Sequence, residues 1–162
     1  MEHRFETTTD LPLELERVFA FFAEAGNLQR ITPPELDFRI LTPLPIEIRK
    51  GARIDYRLRL FGVPFAWSSL ISEWDPPFGF TDEQLRGPYA RWVHQHRFER
   101  TEAGTRVRDV VRYRLPLSPL GDVVHPLVRR QVAGIFAYRE RAVAEALLGP
   151  RLAGPPPLVP FG

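Results

Sequence analysis

Apolar residues recur at spacings of three and four near the C-terminus, at Leu120, Val123, Val124, Leu127, Val128, Val132, Ile135, Phe136, Val143, Ala146 and Leu147. That spacing is one stripe of an α-helix, and residues 117–148 form the longest periodic segment in the chain. Arg129, Arg130, Arg141 and Glu145 fall on its outer positions. Pro126 lies inside the pattern and predicts a short first turn, a kink, and a long helix from about that proline. So long a stripe needs a broad apolar surface to cover it. The rest of the chain reads as that surface, a curved antiparallel sheet.

Residues 3–9 alternate and are rich in threonine, which predicts a first strand. Residues 11–25 predict a helix with Leu15, Val18, Phe19 and Phe22 on its apolar face, ending at Gly26 and Asn27. A further helical turn at 28–31 stops at Pro33 and Pro34. Residues 36–41 read as a second strand, followed by a proline-containing crossing loop at 42–50. In 52–60, Ala52, Ile54, Tyr56, Leu58 and Leu60 face one way, and Arg53, Asp55, Arg57 and Arg59 the other. One side is therefore buried and the other wet. Residues 65–74, 78–86, 90–100 and 105–115 predict four further strands, the last two joined as a hairpin around Glu102, Ala103 and Gly104. The order is strand, two short helices, about six antiparallel strands, long helix.

The length of 162 residues fits one domain, 1–149, and the apolar fraction of 44% allows it a core. Residues 150–162 read as a flexible proline-rich tail. The absence of cysteine excludes disulfides, thiolate metal sites and thiol nucleophiles. Lys50 is the sole lysine among 22 basic residues, and the arginines alternate with acids at a net charge of only +2. Such arginines read as solvated faces, and without a concentrated basic patch no nucleic-acid partner is expected. No apolar run approaches the roughly 20 residues of a membrane span, and no signal-peptide core opens the chain. A cytoplasmic protein without integral membrane association, monomeric or weakly dimeric, is the expectation.

Several local patterns resemble the START/Bet v 1-like superfamily, also called SRPBCC or polyketide cyclase/dehydratase-like, and within it the bacterial single-domain members. They are Trp74-Asp75-Pro76-Pro77 before Phe80-Thr81-Asp82-Glu83-Gln84, and Gly87-Pro88-Tyr89 before Trp92-Val93-His94-Gln95-His96-Arg97-Phe98. Thr105-Arg106-Val107-Arg108-Asp109, Tyr113-Arg114-Leu115-Pro116 and Ile135-Phe136-Ala137-Tyr138-Arg139 complete them. The resemblance covers residues 1–149. It implies an α+β helix-grip fold: a curved seven-stranded antiparallel sheet around a long C-terminal helix, two short helices after the first strand, and a deep cavity between sheet and helix. Members bind lipids, sterols, hormones or polyketides, some are cyclases or dehydratases, and some bind chaperones. Fold alone therefore leaves the activity open.

Parity supplies the candidate site. Trp92, His94, His96 and Phe98 share one strand face, because side chains alternate with period two. Asp109 shares a face with Val107, Val111, Tyr113 and Leu115; Asp82 and Gln84 share one with Phe78 and Phe80. If one hairpin is centred on Pro88, Asp82 lies opposite His94 and Gln84 opposite Trp92. If the next is centred between Glu102 and Ala103, His96 lies opposite Asp109 and Trp92 opposite Tyr113. Both registers keep the bulky residues together and predict two histidine–carboxylate pairs side by side.

These groups fit a satisfied polar network that holds register, the polar floor of a ligand cavity, or general acid–base catalysis by a histidine that an aspartate holds. His94 and His96 also have usable metal-ligand spacing, with Asp82 or Asp109 as a third donor. The pairs explain these residues better, so no metal or cofactor is expected. The principal expectation is binding of a hydrophobic or amphipathic small molecule, of lipid, isoprenoid or polyketide type. Tyr56, Gln84, Trp92, His94, His96, Asp109, Tyr113 and Phe136 are the candidate ligand contacts. The alternative is a cyclase/dehydratase-type enzyme, with His94, His96, Asp82 and Asp109 as catalytic candidates. Arg139 is read as solvated, with reaching an inward carboxylate or closing the cavity mouth as the alternatives. A chaperone-activator-like interaction module is opposed by the charged outer face of 52–60.

Overall fold

Alternating strands build the sheet, and the long periodic segment closes it. The computed structural model describes residues 1–117 and 120–149. Ser118, Pro119 and the proline-rich segment 150–162 lie outside the described residues. The strands are β1 (Glu2–Leu11), β2 (Arg39–Ile40), β3 (Arg53–Leu60), β4 (Val63–Asp75), β5 (Gly79–Arg86), β6 (Arg91–Thr101) and β7 (Gly104–Arg114). They form one sheet in the order β1-β7-β6-β5-β4-β3-β2, every pair antiparallel. The helices are α1 (Leu15–Phe22) and α2 (His125–Leu148). This is the helix-grip architecture, with α1 and a 3-10 turn at Ala25–Gln29 as the two short helices after β1.

α1 buries Leu15, Val18 and Phe19 against Phe80 and Phe98, where the Phe19 ring meets Phe98 edge-on at 5.4 Å. It is shorter than its apolar pattern suggests, because 12–14 still belong to the turn out of β1. The second strand shrinks to Arg39–Ile40, because Pro34 opens a 3-10 turn at Pro34–Leu36 and Asp37 takes a left-handed conformation at its end. Pro126 occupies the first turn of α2, after a 3-10 turn at Leu120–Val124. The apolar stripe is only partly buried. Val128, Val132, Phe136 and Val143 face the sheet, whereas Leu120, Val123, Val124 and Leu127 are exposed. Among the described residues no helix is long and apolar enough to cross a membrane.

The β6–β7 hairpin sets the register on which the site depends. Gly104, at φ 140°, lets its second strand pass beside the end of β1. A Cβ there would strike the Leu11 carbonyl and come within 2.7 Å of the Leu13 nitrogen, both backbone atoms that cannot step aside. Gly104→Ala is therefore expected to destabilise the protein by about 1–3 kcal/mol in denaturant unfolding. A change below about 0.5 kcal/mol would contradict this packing.

Candidate ligand cavity and histidine–aspartate cluster

The sheet curls away from α2 and leaves a cavity of about 170 Å³. Ile54, Leu58, Trp67 and Ile71 wall it from the sheet, Phe21 and Phe22 from the end of α1, and Val132, Ile135 and Phe136 from α2. Parity explains the sheet contribution, and Trp67, Ser69 and Ile71 prove to occupy the inner face. Within these apolar walls the Tyr56 hydroxyl lies 3.1 Å from Ser69 Oγ, which also accepts the Trp67 indole N–H at 3.2 Å. Across the cavity floor stand Asp82, His94 and His96.

The β4–β5 pairing shifts register twice, once with an extra residue on each strand, but the β5–β6 and β6–β7 pairings keep continuous register through the cluster. Asp82 lies opposite His94, His96 opposite Asp109, and Trp92 opposite Tyr113, as parity requires. The hydrogen bonds nevertheless run along the diagonals: His94 Nε2 with Asp109 Oδ1 at 2.8 Å, and His96 Nε2 with Asp82 Oδ2 at 3.1 Å. Diagonal neighbours on adjacent strands are within reach of long side chains. The direct pairs close the figure, with His96 Nδ1 2.8 Å from Asp109 Oδ1 and His94 Nδ1 3.6 Å from Asp82 Oδ2. The His96–Asp109 approach is a charge contact only, because the ring is turned off the line of a hydrogen bond. Two separate pairs thus give way to a single four-membered cluster. His96 stacks on Phe80 at 4.1 Å, and His94 meets Phe136 edge-on at 5.2 Å.

Burial and charge act against each other here. Burial pushes the Asp109 carboxyl up, but the hydrogen bond from His94 and the close charges of both histidines outweigh it and hold the group well below the usual carboxylate range. Asp82 is likewise lifted by burial and brought down further by His96, His94 and Arg139. Burial lowers His94, the charge of His96 lowers it more, and Asp109 only partly compensates, so His94 favours the neutral ring. Burial also opposes charge on His96, but contacts with both carboxylates win and raise it. The charged form is thus favoured on His96, between two carboxylates, and the neutral ring on His94, which would donate from Nε2 to Asp109. Its Nδ1 lone pair then faces Asp82.

The pH response follows from these signs. The depressed aspartates contribute stability above their unfolded pKa of about 3.9, and that stability is lost as pH falls through their folded values. His96, raised, contributes fully below about 6.5 and loses its contribution as pH rises through its folded value. His94, lowered, contributes fully above about 6.5 and loses its contribution as pH falls. The two histidines therefore offset each other near neutrality, and the main loss lies below about pH 4. Thermal unfolding between pH 2 and 8 is expected to show this acid limb, reduced in Asp82→Asn. An unchanged limb in that variant would count against the assignment.

Of the residues marked by sequence, Tyr56, Asp82, Trp92, His94, His96 and Phe136 line the cavity; Asp109, Tyr113 and Gln84 do not. Asp109 stands behind the histidines. Tyr113 turns toward α2, its hydroxyl 3.2 Å from His125 Nε2. The β5–β6 ladder ends at Glu83 and Val93, short of the expected Gln84–Trp92 pair. The Gln84 amide donates to the Tyr89 carbonyl at 2.7 Å and accepts from its N–H, bracing the Gly87-Pro88-Tyr89 turn. Phe78 precedes β5 and is exposed. Arg139 corrects its solvated reading: it is half-buried, lines the cavity, and places its guanidinium 5.4 Å from the Phe22 ring centre. Its position three after Phe136 and seven after Val132 was the available signal, since those offsets share one helix face.

No family model matches the chain, and none of the curated proteins does. Solved structures do. TTHA0849 from Thermus thermophilus is 25% identical, with a TM-score of 0.59 over 90% of this chain and 99% of that one. Ara h 8.0201 is 18% identical, with a TM-score of 0.62 over 90% of this chain and 99% of that one. Ginseng major latex-like protein 151 from Panax ginseng is 12% identical, with a TM-score of 0.67 over 90% and 97%. At these identities the likeness is one of fold.

Proposed function

We propose that this chain, which has the Bet v 1/SRPBCC-like fold, binds a small amphipathic molecule in the cavity between its sheet and α2. The observation that carries this reading is a cavity with mainly apolar walls and a polar floor of Asp82, His94 and His96. Such a site takes up an apolar body and orients one or two polar atoms. Volume narrows the class. An apolar cavity of about 150 Å³ accommodates benzene, so 170 Å³ suits one or two rings, of isoprenoid or polyketide type, better than a long acyl chain. Tyr56, Trp92 and Phe136 would contact the rings. Asp82, His94 and Arg139 would meet a hydroxyl, carbonyl or carboxylate.

The test is titration with 2-naphthol, a bicyclic body with one hydroxyl, read through the fluorescence of Trp67 and Trp92. Saturable one-to-one binding is expected, with Kd on the order of 10 μM. Native mass spectrometry of freshly purified protein would identify any co-purifying occupant. Failure of both measurements would overturn the proposal.

A cyclase or dehydratase activity is the second reading, favoured by the neutral His94 at the cavity wall. A base of this kind accepts a proton from a bound substrate through Nδ1 while Asp109 holds the ring through Nε2. Turnover of a polyketide-type substrate that disappears in His94→Gln, with ligand binding retained, would support it. Equal turnover in that variant would exclude it.

A further inference from the structure

We propose that Asp82, His94 and His96 form a divalent-metal site of the two-histidine, one-carboxylate type, with its open coordination position facing the cavity. The three residues come from two adjacent strands, and one donor atom from each lies within 4.8 Å of the others. Asp82 Oδ2 is 3.1 Å from His96 Nε2 and 3.6 Å from His94 Nδ1. Metal–nitrogen and metal–oxygen bonds of about 2.0–2.1 Å at the tetrahedral angle set neighbouring donors roughly 3.3–3.4 Å apart. The two observed separations bracket that value, and the two histidine donors lie within 4.8 Å of each other, so adjustment of the imidazole rings as well as the Asp82 carboxylate would close the set on an ion.

The surroundings carry the argument further than spacing alone. A histidine that binds metal through one nitrogen usually gives its other N–H to a carboxylate, which fixes the tautomer and aims the ring. Here Asp109 Oδ1 lies 2.8 Å from His94 Nε2 and 2.8 Å from His96 Nδ1, the two nitrogens that point away from Asp82. One buried carboxylate thus stands against both rings, hydrogen-bonded to His94 and in charge contact with His96. Asp82, His94 and His96 line the cavity and Asp109 does not, which puts the supporting group behind the donors and the fourth position in front of them. An imidazole and carboxylate set without sulfur suits Zn²⁺ and its neighbours among divalent transition ions.

Charge then defines the fourth ligand. A divalent ion is balanced by the carboxylates of Asp82 and Asp109. Arg139 lines the same cavity, and its Nε is buried without a hydrogen-bond partner. That unpartnered Nε–H, on a cation that already faces Asp82, suits an anionic oxygen at the open position: hydroxide, or the carboxylate, phenolate or enolate of a bound molecule. The same atoms that form the polar floor for an organic ligand would then coordinate it through the ion.

A second cluster has to be separated from this one. His3 Nε2 lies 3.1 Å from Asp122 Oδ1, and the His3 and His125 rings stack at 3.6 Å. It sits at the start of α2 and offers a competing surface site.

The experiment adds Zn²⁺ alone, and Co²⁺ in parallel, to untagged, metal-stripped, full-length protein. Calorimetry is expected to give one ion per chain, and Co²⁺ the intense visible bands of tetrahedral coordination. Binding should weaken at least 100-fold in Asp82→Asn and in His94→Ala, and about 10- to 100-fold in Asp109→Asn. It should be unchanged when His3→Ala and His125→Ala are combined. No stoichiometric binding, or binding lost only in that last double variant, would overturn the proposal. If His94→Ala fails to fold, X-ray absorption of the Zn²⁺-loaded wild type decides: two imidazoles and oxygen at about 2.0–2.1 Å support the site, and any other shell rejects it. Because no organic ligand is used, failure here leaves the cavity-binding proposal standing.

Discussion

Replacing Asp109 by alanine is expected to lower the melting temperature by about 10 °C. The side chain is only 7% exposed, and it is the shared partner of two histidines that are themselves 6% and 2% exposed. Its removal strands two buried polar rings and the charge of His96. Breaking a buried ion pair from one side costs about 3–5 kcal/mol. A domain of this size loses roughly 2–4 °C per kcal/mol. Asp82→Ala should cost less, because Asp82 borders the cavity, where water can replace the carboxylate. The removed carboxylate is also one of the two that raise His96, so His96 in Asp109→Ala should titrate lower than in wild type by histidine NMR. A melting temperature within 3 °C of wild type, with His96 unmoved, would show that the cluster does not act as a unit.

Ile135→Trp is expected to abolish binding in the cavity with little loss of fold. Ile135 is half-buried on the inner face of α2 and lines the cavity beside Trp67 and Leu58. An indole there would project into a space of about 170 Å³ and leave too little for a bicyclic guest. Affinity for 2-naphthol should fall at least 100-fold, about 2.7 kcal/mol. Overpacking costs of about 1–3 kcal/mol are the upper range for stability, since the ring enters open volume rather than a filled core. If the variant melts within a few degrees of wild type and still binds 2-naphthol as tightly, the guest lies elsewhere.

The contrast between these two positions shows where sequence reasoning reached and where it stopped. The histidines and aspartates were legible because a strand has no freedom in side-chain parity. Once Trp92 and Phe98 face inward, His94 and His96 must also. Short turns then set which residues oppose one another, so the Asp82–His94 and His96–Asp109 registers followed from turn placement. The hydrogen-bond partners did not follow. Opposed Cα atoms leave two ways to join four side chains, and sheet twist with the ring orientations selected the diagonals. Gln84 failed for a related reason: its strand face was correct, but the ladder ended one residue early and its amide braced the turn.

The helix shows the same division. Its period, its proline start and its apolar stripe were intrinsic to the chain, because 3.6-residue geometry is local. Which part of the stripe would be covered was not. Leu120, Val123, Val124 and Leu127 have the same hydrophobic character as Val128 and Val132, yet they stay exposed. Arg139 lies inward because the curved sheet stands away from α2 at that level, leaving room for a long polar side chain against Phe22. By itself the sequence determined the element order and, for the strands that carry the cluster, which polar residues share a face with the bulky apolar ones, all consequences of fixed local periodicities; the inner face of β4 was settled only by the structure. Only the tertiary structure decided the size of the cavity, the partners within the cluster and the orientation of Arg139. Those depend on how far the curved sheet stands from the helix, a distance that no local pattern encodes.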